Sequence, residues 1–195
     1  MTEGMMERST ILAAGALVAA WSISPASAAE FQDPKTGFSL TVPAGFVLKS
    51  PRSDAKHDFL IDVVSLTGQP PTAGNEEAVC AVGFIRFAKG SVASQADLNA
   101  MPARQKMALD IRRTLPGQGM APQVMQAIPS EAYAGFEIVS KPTLGPDHEN
   151  VSIYTAIMDR VVGRTNVICV TTKQALPDAY PVFRVIRDGT RPPAE

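Results

Sequence analysis

The 195-residue chain has little of what catalysis and metal binding draw on, with two histidines and two cysteines in all. His57 and His148 both stand in polar, loop-like stretches. Nucleophilic hydrolysis needs a base, most often histidine, beside an activated hydroxyl or thiol, and no G-x-S-x-G elbow frames a serine. There is also no H-E-x-x-H pair, no phosphate-cradling glycine loop and no C-x-x-C. Each absence removes one recognisable signature: esterase, zinc protease, nucleotide binding, dithiol redox. An excess of one charge is missing too. Lys and Arg number 18 against 19 for Asp and Glu, a net charge of −1, and the two signs are interspersed. A nucleic-acid partner is excluded, since its electrostatic footprint is a basic patch.

Long apolar runs are scarce. Ile11 to Ile23 is an apolar stretch of about 13 residues, too short for a membrane-spanning helix but matched to a signal peptide. Arg8 lies on its N-terminal side, partly offset by Glu3 and Glu7, and starting translation at Met5 or Met6 would remove one of those acids. Pro25-Ala26-Ser27-Ala28 supplies the small-x-small pattern that signal peptidase accepts, so cleavage after Ala28 would leave Ala29-Glu30-Phe31 as the new N-terminus. Residues 1–28 are therefore expected to be an export signal, and 29–195 one soluble globular domain with a loose tail at 190–195. There is no cysteine near the cut and no twin arginine, so neither a lipid anchor nor folded export is suggested. With 45% hydrophobic and 19% charged residues, the remainder is no disordered chain, and it is long enough to bury a core. No second long apolar run follows, so no membrane span is expected after signal cleavage, and the protein is placed in the periplasm or secreted.

In an oxidising compartment the isolated pair Cys80 and Cys169 reads most simply as one disulfide. It would close a loop of about 90 residues, for which chain entropy gives roughly 4–5 kcal/mol as an upper figure. The alternative is two buried free thiols.

Alternation marks the strands. Phe38, Leu40 and Val42 share one side of a half-buried strand, Pro43-Ala44-Gly45 makes a turn, and Phe46 to Leu48 is expected to return as its partner. Phe59 to Leu66 is apolar on both faces and reads as a central strand covered on both sides, with Asp62 needing a partner or a view of water. Val79 to Phe87 is a further strand and carries Cys80. Ser94 can cap a helix with Asp97, and Pro102 suits the first turn of a second. In that second helix Met107, Ile111 and Leu115 recur every four residues, ending at Leu115-Pro116-Gly117. Arg104, Lys106, Arg112 and Arg113 lie on or near its outer surface, as a solvated face or as a basic binding face. A meander follows, with strands at Val124 to Ile128, around Phe136 and Ile138, from Val151 to Val162, and, after a turn at Gly163-Arg164, from Asn166 to Thr172. Ala179, Val182, Phe183 and Ile186 form one helical stripe, with Pro181 expected in the first turn and Gly189 as C-terminal cap.

Two stretches carry a family resemblance. Gly37-Phe38-Ser39-Leu40-Thr41-Val42-Pro43-Ala44-Gly45-Phe46 resembles the GFSxxxPxGW opening of PsbP-like and DcrB-like domains, with Phe46 where that family has Trp. Gly163-Arg164-Thr165-Asn166-Val167-Ile168-Cys169-Val170 and the Phe183-bearing helix resemble its last hairpin and helix. The resemblance implies a fold: an α+β, α/β/α sandwich with a mostly antiparallel twisted sheet of six to seven strands and two to three flanking helices. It implies no single activity, because members range from photosystem accessory subunits to bacterial envelope proteins.

The densest polar cluster is Asp54, His57, Asp58 and Asp62. Carboxylate and imidazole together suit a first-row divalent metal, although His57 and the pair Asp58 and Asp62 fall on opposite strand parities. Asp147-His148-Glu149 could complete such a sphere if its loop lies nearby. Met101, Met107, Met120, Met125 and Met158 form no tight group and read as core filling. Asn150-Val151-Ser152 is a glycosylation sequon, relevant only in a secreting eukaryote. The expectation is an exported, non-enzymatic envelope accessory or binding protein with a protein partner or small ligand and no cofactor. The alternative is a metal-binding protein or metal-assisted hydrolase that uses Asp54, His57, Asp58 and Asp62.

Overall fold

The computed structural model describes residues 28–193 apart from Asn75, Ala93 and Pro146. The expected export signal thus lies outside the described residues except for Ala28. The main sheet has seven antiparallel strands in the order β3 (Phe46–Leu48), β4 (Phe59–Ser65), β5 (Cys80–Arg86), β9 (Gly163–Thr172), β8 (Val151–Arg160), β7 (Ala134–Pro142) and β6 (Met120–Ala127). A second sheet of three strands runs β1 (Ala29–Gln32), β2 (Ser39–Val42), β10 (Thr190–Arg191). Helices α1 (Gln95–Asn99) and α2 (Met101–Gly117) lie on one face of the main sheet, and α3 (Leu176–Asp188) lies on the other. The result is a mixed α+β fold with helices on both sides of an antiparallel sheet. Among the described residues no helix is long and apolar enough to cross a membrane.

The period-2 pattern decides which face holds the core. In β8 the even positions Ser152, Tyr154, Ala156 and Met158 are buried, and in β9 the odd positions Thr165, Val167, Cys169 and Thr171. These meet Ala179, Phe183 and Ile186 of α3 and Phe38, Leu40 and Val42 from the small sheet. The Tyr154 and Phe183 rings lie 5.8 Å apart, which is contact distance for aromatic packing. On the opposite face α2 sets Ile111 and Leu115 against Phe136 and Ile138 of β7. Ser94 caps α1 by accepting from the Asp97 amide at 3.1 Å, and Pro102 sits in the first turn of α2, both as expected.

Cys80 and Cys169 face each other directly across β5 and β9 and are joined by a disulfide. The Val170 amide donates to the Val79 carbonyl, so this is a non-hydrogen-bonded pair, the closer of the two antiparallel pairings. Their Cα atoms are 3.9 Å apart, and both residues are buried. The free-thiol alternative falls away.

Several local expectations are corrected. Phe46–Leu48 pairs with β4 and not with Ser39–Val42, whose partners are β1 and β10; the Pro43-Ala44-Gly45 turn hands the chain from one sheet to the other. The face of β4 bearing Leu60, Asp62 and Val64 is only half-buried, because α2 packs over β6 and β7. Asp62 has both a partner and water, with its carboxylate 2.5 Å from Arg52 and its side chain 20% exposed. The β8–β9 turn is Val161-Val162, and Gly163 is already paired with Arg160 and Arg86. Pro181 lies inside α3, whose first turn holds Pro177 instead. Thr190 is no loose tail: it is 4% exposed, its hydroxyl donates to the Ile186 carbonyl at 2.8 Å, and it pairs with Leu40.

Candidate functional site

Because α2 covers only the β6–β7 half of its face, the half formed by β8, β9 and β5 opens into a groove of about 850 Å³. Its floor is apolar, made by Ile153 and Ile157 of β8 and Ile168 and Val170 of β9, with Met107 and Leu115 of α2 as one wall. Ile168 is 39% exposed. A β-branched residue held in the middle of a sheet and open to solvent leaves apolar surface uncovered at a concave site, the usual character of a ligand pocket. The rim is polar. Lys106 and Asp110 of α2 pair at 2.5 Å. Arg164 and Asp159 form a two-pronged pair with both N–O distances 2.7 Å, so that arginine is already satisfied.

His57 closes one end of the groove, beside Lys56. Its ring packs over Gly83, where a Cβ would come within 2.8 Å of His57 Cδ2 and 2.9 Å of Leu60 Cδ1. Glycine at 83 is thus what lets the imidazole lie on the sheet. Asp54 holds the ring from behind, its Oδ1 3.0 Å from Nδ1, and the same carboxylate accepts from the Lys56 and His57 amides at 2.7 Å each. Those backbone donors, followed by the His57 side chain, hold the Asp54 carboxyl at about 2. A carboxylate on Nδ1 requires that nitrogen to donate, which leaves Nε2 of a neutral ring as an acceptor. Among the described residues no hydroxyl or thiol bonds to that nitrogen. The arrangement can orient a ligand's polar group.

The four expected metal ligands do not converge. Asp54 and His57 stay together, but Asp58 turns to β5, accepting from the Arg86 amide at 2.8 Å with the Arg86 Nε 3.6 Å away, and Asp62 is taken by Arg52. Each carboxylate has its own donor, and no group of three His, Cys, Asp or Glu able to hold a metal occurs among the described residues. Asp147-His148-Glu149 cannot join them. His57 lies at the level of Phe84, Thr165 and Met158 in the register, whereas His148 precedes Val151, a separation of about 23 Å along β8. The basic face of α2 is partly committed to structure: Arg104 donates to the Asn99 and Ser130 carbonyls at 3.1 and 2.9 Å.

One polar cluster escaped the sequence reading. Glu137, on the α3 side of β7, is 3% exposed and accepts from Arg184, Arg187, Gln126, Tyr180 and Tyr154. Burial pushes its carboxyl up, but the hydrogen bonds from Arg184, Gln126 and Tyr180 and the charge of Arg187 outweigh that and hold it at about 2. The cluster ties α3 to the sheet and is fully partnered, so it reads as an internal clasp.

A solved structure makes the architecture recognisable. Cyanobacterial PsbP (CyanoP) from Synechocystis sp. PCC 6803 superposes with a TM-score of 0.54 over 90% of this chain and 98% of that one, at 10% identity. The fold is PsbP-like. A Pseudomonas aeruginosa protein of unknown function, PA94, matches more loosely, with a TM-score of 0.44 and 15% identity over 86% of this chain and 99% of its own. No protein-family model matches the chain, and no curated protein is similar to it by sequence.

Proposed function

We propose that the chain is an exported, non-enzymatic binding protein of the cell envelope, periplasmic or secreted, whose ligand lies in the groove between α2 and the sheet. The observation that carries the reading is the open apolar floor around Ile168, ringed by charged side chains. That combination fits an amphipathic small molecule, its apolar body on Ile153, Ile157 and Ile168 and its polar group at Lys56 and the His57 Nε2. The Cys80–Cys169 bridge supports export, because persistent disulfides belong to oxidising compartments. The PsbP-like fold, whose members include accessory subunits, supports a binding role over a catalytic one.

Calorimetric titration with dodecanoate, a linear amphipathic anion, tests the ligand. Saturable binding is expected, with a rise in melting temperature. Ile168→Lys, which puts an ammonium on an already exposed position, is expected to remove binding while leaving the melting temperature within a few degrees. Equal titration of both proteins, or none of either, defeats the reading. Export is tested separately by the intact mass of natively expressed protein, expected to begin at Ala29 with both sulfurs oxidised.

A further inference from the structure

We infer that a second cleft, on the α3 side of the main sheet and remote from His57, is a binding site for a small oxyanion. This cleft, of about 370 Å³, lies at the end of the sheet where β8 begins. Side chains from adjacent strands line it in a row. Lys141 ends β7, Ser152 stands beside it in β8, and Lys173 follows β9, its amide donating to the Asn150 carbonyl at 2.6 Å. The parity of the register puts Lys141 and Ser152 on the face that carries Val139 and Tyr154.

The charges are unspent. Neither Lys141 nor Lys173 takes part in an ion pair among the described residues. Glu149 also lines the cleft, so the ammoniums outnumber carboxylates two to one. Ser152 is 2% exposed overall, and its side chain lines the cleft. An oxyanion seated between the ammoniums would accept a hydrogen bond from its hydroxyl. His148 turns Nδ1 to the Gly145 carbonyl at 3.0 Å, which leaves Nε2 for a ligand hydroxyl. Two point-charge donors, one hydroxyl donor and one ring acceptor suit a phosphate or carboxylate that also carries a hydroxyl.

The test is a two-dimensional amide NMR titration of the full domain with inorganic phosphate and, separately, with succinate, each against sodium chloride at matched ionic strength. The expected result is saturable shifts confined to the amides around Lys141, Ser152 and Lys173. Which anion saturates at lower concentration separates phosphate from carboxylate ligands. Lys141→Gln with Lys173→Gln should weaken binding by more than about tenfold, whereas Lys106→Gln, on the other face, should leave it unchanged. Shifts that follow ionic strength alone, or equal binding by the double variant, overturn the proposal. Because dodecanoate binding in the groove is read at Ile168, the failure of one site does not depend on the other.

Discussion

Glu137→Gln isolates the clasp between α3 and the sheet. In the folded protein the Glu137 carboxyl lies at about 2 against an ordinary 4.5, because five donors and two guanidinium charges overcome the cost of burying it. A displacement of that size corresponds to about 3 kcal/mol favouring the folded state at neutral pH. Arg184 is 41% exposed and partly screened by water, so about 2–3 kcal/mol is expected. Glutamine keeps the shape but removes the buried one of the two counter-charges of Arg187, which is only 11% exposed, and leaves it the exposed Asp188 alone. The sign follows from the depressed value: the contribution is fully present above about pH 4.5 and is lost as pH falls towards 2. Urea unfolding of wild type and E137Q, with the disulfide intact, should show the full deficit at pH 7 and a much smaller one at pH 2.5, where the wild-type carboxyl is becoming protonated. Other carboxylates titrate alike in both proteins and cancel in the difference. The same deficit at both pH values, or one below about 0.5 kcal/mol at pH 7, a typical surface effect, would refute the reasoning.

Gly189→Ala is expected to cost about 2–3 kcal/mol, because a Cβ there would run into the Thr41 carbonyl oxygen and β2 is held against it by the Thr41 amide donating to the Gly189 carbonyl at 2.9 Å. Hydrogen exchange should speed up selectively in β2 and β10, and uniform exchange would count against the contact. Replacing Cys80 and Cys169 together by alanine should lower the unfolding free energy by up to about 4–5 kcal/mol, read as a lower urea midpoint, without changing the far-ultraviolet dichroism, and an unaltered midpoint would show that the loop closure contributes nothing. Ser94→Ala removes the acceptor for the Asp97 amide and should cost about 1 kcal/mol, with faster amide exchange confined to α1.

What was legible in the sequence was local and periodic. The existence of β4, β5, β8 and β9 as strands, the Ser94 cap, the Met107–Ile111–Leu115 stripe and the α3 stripe each depend on neighbours within one element, and each appears where it was expected. The cysteine pair was legible because two thiols admit only one intramolecular pairing. Partner choice between distant segments was not. Ser39–Val42 carries the same alternation whether it pairs with Phe46–Leu48 or with β1 and β10, so nothing within it separated a hairpin from a second sheet. Thr190–Arg191 pairs only because Gly189 brings α3 against Thr41, a tertiary event that a polar tail with two prolines does not announce. Pro122 masked the start of β6, yet it is tolerated there because β6 is an edge strand whose register shifts between Pro122 and Val124, and such a strand can spare a donor.

The site was hidden for a different reason: it is a consequence of coverage. A helix about 10 Å wide covers roughly two strands at 4.8 Å spacing, and the chain supplies one long helix, α2, for a face seven strands wide. Some of that face had to stay open, and the apolar residues on the outward parity of β8 and β9, Ile153, Ile157, Ile168 and Val170, are where it does. Reading Phe59 to Leu66 as covered on both sides missed this, since apolar residues on both faces of a strand mark either burial or a binding surface, and only the count of helices tells them apart. The polar residues followed the same logic. Asp54, His57, Asp58 and Asp62 stood together in sequence and suggested one sphere, but strand parity and the donors Arg52 and Arg86 divided them. What survived is a single oriented imidazole at the mouth of the groove, placed there by a glycine that lets it lie flat. Gly83→Ala should therefore displace the His57 ring and weaken dodecanoate binding while leaving the floor intact, and undiminished binding by that variant would show that His57 does not contact the ligand.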